Sequence, residues 1–228
     1  MAQAKDKEQI MKILQEALDK DPSTFYKVPA LARLGYFEWC FKFVETHREE
    51  FLEKIKQITR SKSYKRDRPK KDENTRTNRG EEWFVLDLFR NTDKNEIFGD
   101  LYGYQIPIKN SNEDKGAGKI DFISVLNDRL YLHEIKADYS PESILKAILE
   151  IQTYYQQVDH EKLKKDFDLP TNMKVKKSVV IFENSKAYEQ VIKPESQELV
   201  KNLLKWFDIE LFVLSNSNVF TRKRINGL

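Results

Sequence analysis

Residues 129–138, RLYLHEIKAD, read as a strand that carries charge on a face where a strand usually carries none. Leu130, Tyr131, Leu132 and Ile135 favour extended backbone, yet Glu134 and Lys136 stand two residues apart and therefore share one face. The stretch before it, KIDFISVLND (119–128), has the same strand composition and ends in Asn127-Asp128, a pair that tolerates the positive φ of a two-residue hairpin turn. With that turn Leu126 pairs with Arg129. The register then sets Asp121 opposite Glu134, Ile123 opposite Leu132 and Val125 opposite Leu130. Two carboxylates facing each other across a ladder repel, and aliphatic neighbours raise the cost of burying them. Something positive must offset them. Lys136 is one candidate, and a divalent cation is the better one, because hard oxygen ligands suit Mg²⁺ or Mn²⁺. The plainer reading is a solvated sheet edge, which the aliphatic pairs beside the carboxylates argue against.

Outward from the hairpin the pattern is mixed α and β. GEEWFVLDLFRN (80–91) reads as a helix, GYQIPI (103–108) as a strand, and SPESILKAILEIQTYYQQVD (140–159) as a helix with Ser140 as N-cap and Pro141 at its first position. KKSVVIFE (176–183) reads as a buried strand, PESQELVKNLLKWF (194–207) as a helix and IELFVL (209–214) as a last strand. The order predicts one α/β domain over 80–228. Residues 1–59 read as a separate helical region. Ile10, Ile13, Leu14 and Leu18 fall at helical spacing, breaks are expected at Pro22 and near Gly35, and Phe37, Trp39, Phe41 and Phe43 form a core cluster.

Between the two regions, residues 60–79 carry nine Lys or Arg against three acidic residues. That local excess of six exceeds the whole chain's net +3, so the remainder is acidic. Nearly devoid of apolar side chains, the segment reads as a loop or linker. Its basic residues Lys65, Arg66, Arg68, Lys70 and Lys71 are either a solvated connector or contacts for phosphate. The chain has no apolar run of membrane-spanning length and no signal-peptide core at its start, and its single Cys40 rules out an internal disulfide framework. These features predict an intracellular, membrane-free protein. His47, His133, His160 and Cys40 have no zinc-site spacing, and His133 points away from the Glu134 face.

Gly118-Lys119-Ile120-Asp121, followed after twelve residues by Glu134-Ile135-Lys136, resembles the active-site signature of the PD-(D/E)XK nuclease superfamily, with Ile120 where the name has proline. The α-β-β-β-α-β order from residue 80 resembles that superfamily's restriction-endonuclease-like core. Gln152 and Tyr155 in IQTYYQ resemble the Q-x(n)-Y element of RecB-like members, one residue shorter than usual. The resemblance implies a Mg²⁺- or Mn²⁺-dependent nuclease acting on nucleic acid, DNA first, in restriction, repair or mobile-element defence. It implies Asp121, Glu134 and the Ile135 carbonyl as metal ligands. Lys136 and Gln152 then act on water and phosphate, and a glutamate of the first core helix completes the site. Glu82 shares a face with Val85, Leu86 and Phe89 and is preferred to Glu81. A buried glutamine bonded to backbone is the rival reading of Gln152. The rival function is a binding or interaction module that keeps the fold without the chemistry. The N-terminal helices offer a face for a homodimer or protein partner.

Overall fold

In the computed structural model, which describes residues 2–67, 69, 80–114, 116–138, 140–215 and 221–223, Asn127 and Asp128 both take the left-handed backbone (φ 50° and 58°) of a tight hairpin turn. The hairpin joins β3 (Lys119–Leu126) to β4 (Arg129–Lys136) in the expected register, from Leu126↔Arg129 through Ile123↔Leu132 to Phe122↔His133. At Asp121 the ladder gives way: the Ile135 N–H donates to Asp121 Oδ2 at 2.8 Å. A side chain thus replaces a backbone acceptor where the two strands part.

The hairpin is the middle of a seven-stranded mixed sheet whose strands lie in chain order. On one side are β2 (Gly99–Pro107) and the short β1 (Lys94–Asn95), antiparallel to their neighbours. On the other side β5 (Lys174–Phe182) and β6 (Ile209–Ser215) run parallel to β4, and β7 (Thr221–Lys223) closes the sheet antiparallel to β6. Parallel neighbours need crossovers. The first comprises α5 (Ile144–Gln157) and α6 (His160–Asp166), and the second α7 (Lys186–Ile192) and α8 (Pro194–Trp206).

Strand alternation divides the core into two layers. Leu130 and Leu132 face the larger one, with Leu145, Ile148 and Ile151 of α5, while Tyr131, His133 and Ile135 point the other way. That second layer packs Phe84, Val85 and Phe89 of α4 (Gly80–Asn91) on Phe98, Phe122 and Phe212. His133 is a core residue there, stacked on Phe122 and bonded to Ser124 Oγ and Ser178 Oγ; burial pushes it down to about 3. Glu134 and Lys136 continue the face of Leu130 and Leu132 to the end of β4, where the aliphatic layer stops.

Helices α1 (Ala2–Lys20), α2 (Phe37–Thr46) and α3 (Arg48–Glu53), with short 3₁₀ turns at Pro22–Lys27, Pro29–Ala32 and Leu34–Tyr36, precede the sheet. Leu14, Phe25, Phe41 and Phe43 belong to the same hydrophobic cluster as Leu132 and Val179, so this region packs onto the sheet layer itself. Cys40 is buried within it, its thiol pushed up to about 12 by burial.

The segment after α3 is tied down as far as residue 67. Tyr64 is fully buried, its N–H donating to Asp166 Oδ2 (2.8 Å), and the Ile58 N–H donates to the Gln157 carbonyl (2.8 Å). A loop or linker was expected over 60–79, and within it Tyr64 supplies an apolar anchor; Ile55 and Ile58, expected to be helical, lie beyond the end of α3. The N-cap of α5 is Ser143, whose Oγ accepts from Lys146 N, and not Ser140, which instead reaches Glu81. Helices α6 and α7 and strand β7 were not expected from the sequence.

Candidate active site

Where the Leu130–Leu132 layer ends, a cleft of about 940 Å³ opens over the end of β4. Its floor is Asp121 from β3 with Glu134 and Lys136 from β4, so the structure brings together the three residues singled out by the hairpin register. Lys136 is buried, and its Nζ is the hub. It lies 2.6 Å from Glu134 Oε1, 2.5 Å from Glu142 Oε2, 3.2 Å from Glu150 Oε2 and 3.9 Å from Glu81 Oε1.

Helix α5 supplies the opposite wall. Lys146, Glu150 and Tyr154 are spaced four residues apart and so form one polar stripe on a helix otherwise buried nearly all round. The Tyr154 hydroxyl donates to Glu150 Oε1 at 2.7 Å and lies 3.3 Å from the Tyr26 hydroxyl. Lys146 pairs with Glu142. Tyr26 and Lys27 come from the Pro22–Lys27 3₁₀ turn after α1, and Lys27 Nζ donates to the Gly116 carbonyl at 2.9 Å. The helical N-terminal region therefore builds one rim of the cleft. Gly118 is needed at the base: a Cβ there would stand 2.1 Å from the Tyr154 hydroxyl oxygen.

Among the described residues seven acidic and four basic side chains line the cleft, a formal excess of three negative charges. That surplus adds to burial in setting the proton affinities of the site. Burial, with Glu81 and Glu150 adding to it, pushes Asp121 up to about 7 against the pull of Lys136 and the Ile135 N–H. Burial and then the charges of Asp121 and Glu150 push Glu134 well above the ordinary carboxylate range. Burial also opposes the Glu150 charge, but Lys136, the Tyr154 hydroxyl and Lys146 outweigh it and hold this carboxyl low. For Lys136, burial alone would lower the pKa; Glu134, Glu150, Glu81 and Asp121 together hold it well above that of a free lysine. One ammonium thus stabilises several carboxylates and does not neutralise them all.

Helix α4 contributes Glu81 and Glu82 to the lining, and it is Glu81, not the preferred Glu82, that approaches Lys136 and accepts from Ser140 Oγ (3.3 Å). Ile135 turns its side chain into the opposite core layer and its N–H to Asp121. Gln152 does not line the cleft. It is buried on another side of α5, where its Oε1 accepts from Lys177 Nζ at 2.7 Å, and burial pushes Lys177 down to about 8. Tyr155 also faces that side, under the Lys177 ammonium at 4.5 Å. The residues of α5 that do face the site are thus Lys146, Glu150 and Tyr154.

Of the basic segment, Lys65 pairs with Asp168 (2.7 Å), and Arg66 lies over the Tyr104 ring and donates to the Gln105 carbonyl at 3.4 Å. Arg68, Lys70 and Lys71 lie outside the described residues. Among the described residues no three His, Cys, Asp or Glu side chains are drawn together as a ready metal-ligand group. The carboxylates converge on Lys136 instead. Among those residues no helix is long and apolar enough to cross a membrane. No protein-family model, no curated protein and no solved structure matches the chain.

Proposed function

We propose that this chain is a divalent-metal-dependent nuclease, acting on DNA, with a restriction-endonuclease-like core. The observation that carries the reading is the carboxylate surplus around one buried lysine at the floor of an open cleft. Asp121 and Glu134, both pushed toward protonation by burial with neighbouring carboxylates adding to it, are hard oxygen donors that a Mg²⁺ or Mn²⁺ ion would relieve. Asp121, Glu134 and the Ile135 carbonyl would hold the ion, with Glu81 or Glu82 beside them. Bound there, such an ion lowers the pKa of water and screens the charge that builds on a scissile phosphate. Lys136 keeps its proton and presents positive charge at the same floor, where it orients a nucleophile and offsets charge on the phosphate. Tyr154 and Lys146 fix Glu150 as an ionised neighbour.

A second reading has its own support. Lys136 already stands within ion-pair distance of four carboxylates, an arrangement that also suits a binding module in which the cluster is only a polar core. One experiment separates the two. Supercoiled plasmid, linear duplex, single-stranded DNA and RNA are each incubated with Mg²⁺, Mn²⁺ or a chelator. The nuclease reading expects cleavage that the chelator abolishes and Glu134→Gln removes. Intact substrates in every metal condition, with no metal-induced rise in melting temperature, would leave the binding module as the better account.

A further inference from the structure

A second cavity, about 520 Å³, lies against the first and shares Gly118 and Lys119 with it. Its character is the reverse. Among the described residues Arg60, Lys62, Lys109 and Lys119 line it, and no Asp or Glu does. The nearby carboxylate of Asp114 is occupied by the N–H groups of Asn110 and Ser111, at 2.9 and 2.8 Å. Lys62, Lys109 and Lys119 are exposed, and none of them forms a salt bridge among the described residues.

Arg60 is the unusual member. It is 8 % exposed, and its guanidinium is fixed over the Tyr64 ring and through bonds to the carbonyls of Lys109 and Ser63. Its Nε–H nevertheless has no partner among the described residues. A buried charged donor without an acceptor is costly, and Arg60 lines the cavity as a fixed cation whose charge favours an anion there. Arg60 is also held by its neighbours before any ligand arrives, so little side-chain entropy is lost on binding.

We propose that this cavity is an anion subsite that takes a phosphate of the nucleic-acid strand flanking the bond cut in the adjoining cleft. The assignment rests on the nuclease reading for the identity of the strand. Chemistry alone supports the anion: four cations and an unpartnered guanidinium N–H beside a cleft lined by carboxylates. The two cavities divide the work by charge. The acidic cleft suits a cation, and the basic cavity holds the polyanion at a fixed distance from it.

The test uses the full chain in chelator, so that no turnover intervenes. A single-stranded oligonucleotide labelled at its 3′ end is titrated by fluorescence anisotropy across a salt series, with either a 5′-phosphate or a 5′-hydroxyl. Lys62→Ala/Lys109→Ala changes only exposed side chains. It should flatten the slope of log affinity against log salt by about 1.4, from roughly 0.7 per lost phosphate contact on single strands. Tighter binding of the 5′-phosphorylated strand assigns the site to a terminal phosphate, and equal binding assigns it to an internal one. In parallel, inorganic pyrophosphate should move the Nε–H resonance of Arg60, identified by its absence in Arg60→Lys. The proposal is overturned if the double variant binds with unchanged slope and neither pyrophosphate nor oligonucleotide moves that resonance, even while wild type cleaves DNA in Mg²⁺. If instead pyrophosphate moves the resonance but no oligonucleotide binds or is cut, the anion site stands and the nuclease reading falls.

Discussion

Replacing Asp121 with asparagine should stabilise the metal-free protein, and by an amount that depends on pH. Asp121 is pushed up to about 7, against roughly 3.9 for an unstructured aspartate. Between those values the folded state holds a proton that the unfolded state has lost. Wild-type stability therefore falls as pH rises from about 4 to 7 and is flat beyond. Three pKa units at about 1.36 kcal/mol each give about 4 kcal/mol. Asp121 is only half-buried, and water in the open cleft reduces this to about 2 kcal/mol. Asparagine removes the charge and keeps the geometry: its Oδ1 still accepts the Ile135 N–H, and Gln105 can turn its amide to meet Nδ2. Relief of Glu134, which Asp121 also pushes up, adds with the same sign. For a chain of this size the gain is about 4 to 8 °C in melting temperature at pH 8, fading toward pH 4. Circular-dichroism melts in chelator from pH 4 to 8.5 measure it. At ten times the metal's dissociation constant wild type should recover about 1.4 kcal/mol that the variant does not. A variant less stable than wild type at pH 8, or a difference that does not change with pH, would show that Asp121 is held by ordinary hydrogen bonds and that the cleft carries no charge surplus.

Three further outcomes follow from the same contacts. Lys136→Met should lower stability by about 3–5 kcal/mol in denaturant titrations, because Glu134 and Glu150 lose their buried partner, and should abolish cleavage. Gly118→Ala forces the Tyr154 hydroxyl away from Glu150 and should cost about 1–3 kcal/mol, whereas Tyr154→Phe, which keeps the ring, should cost less. Gln152→Leu removes the acceptor of Lys177 and should destabilise by about 1–3 kcal/mol while leaving Mg²⁺-dependent cleavage within a few-fold of wild type, since Gln152 lies off the cleft.

Much of the sheet was readable because its signals are local. The Asn127-Asp128 turn fixes the β3–β4 register, and period-two alternation then tells which side chains meet; the observed pairs agree from Leu126↔Arg129 to Phe122↔His133. The bounds of α4 agree for the same reason, with Gly80 at one end and Asn91 at the other. The start of α5 was misread because Ser140-Pro141 and Ser143 are both good helix openings. Tertiary contacts decide between them: Ser143 Oγ donates to the Leu31 carbonyl while accepting the Lys146 N–H. Helices α6 and α7 are seven residues each, too short to show a period against their charged neighbours.

The site was readable only where it lies on the hairpin. Glu81, Glu142, Glu150 and Tyr26 arrive from three other parts of the chain, and no spacing in the sequence links them to Lys136. One signal was available. Lys146, Glu150 and Tyr154 at intervals of four make a polar stripe on a helix whose other faces are apolar, and a polar stripe on a buried helix needs a polar neighbour. The resemblance of IQTYYQ to a Q-x(n)-Y element selected Gln152, which is buried as the partner of Lys177. The two buried lysines of the sheet, Lys136 and Lys177, show how burial and partners set different outcomes. Lys177, with a neutral amide and an aromatic ring for company, is pushed down to about 8, whereas Lys136, ringed by carboxylates, is held up. A lysine that keeps its proton while buried can serve as a fixed positive charge at neutral pH, and the one placed to do so is the one in the cleft.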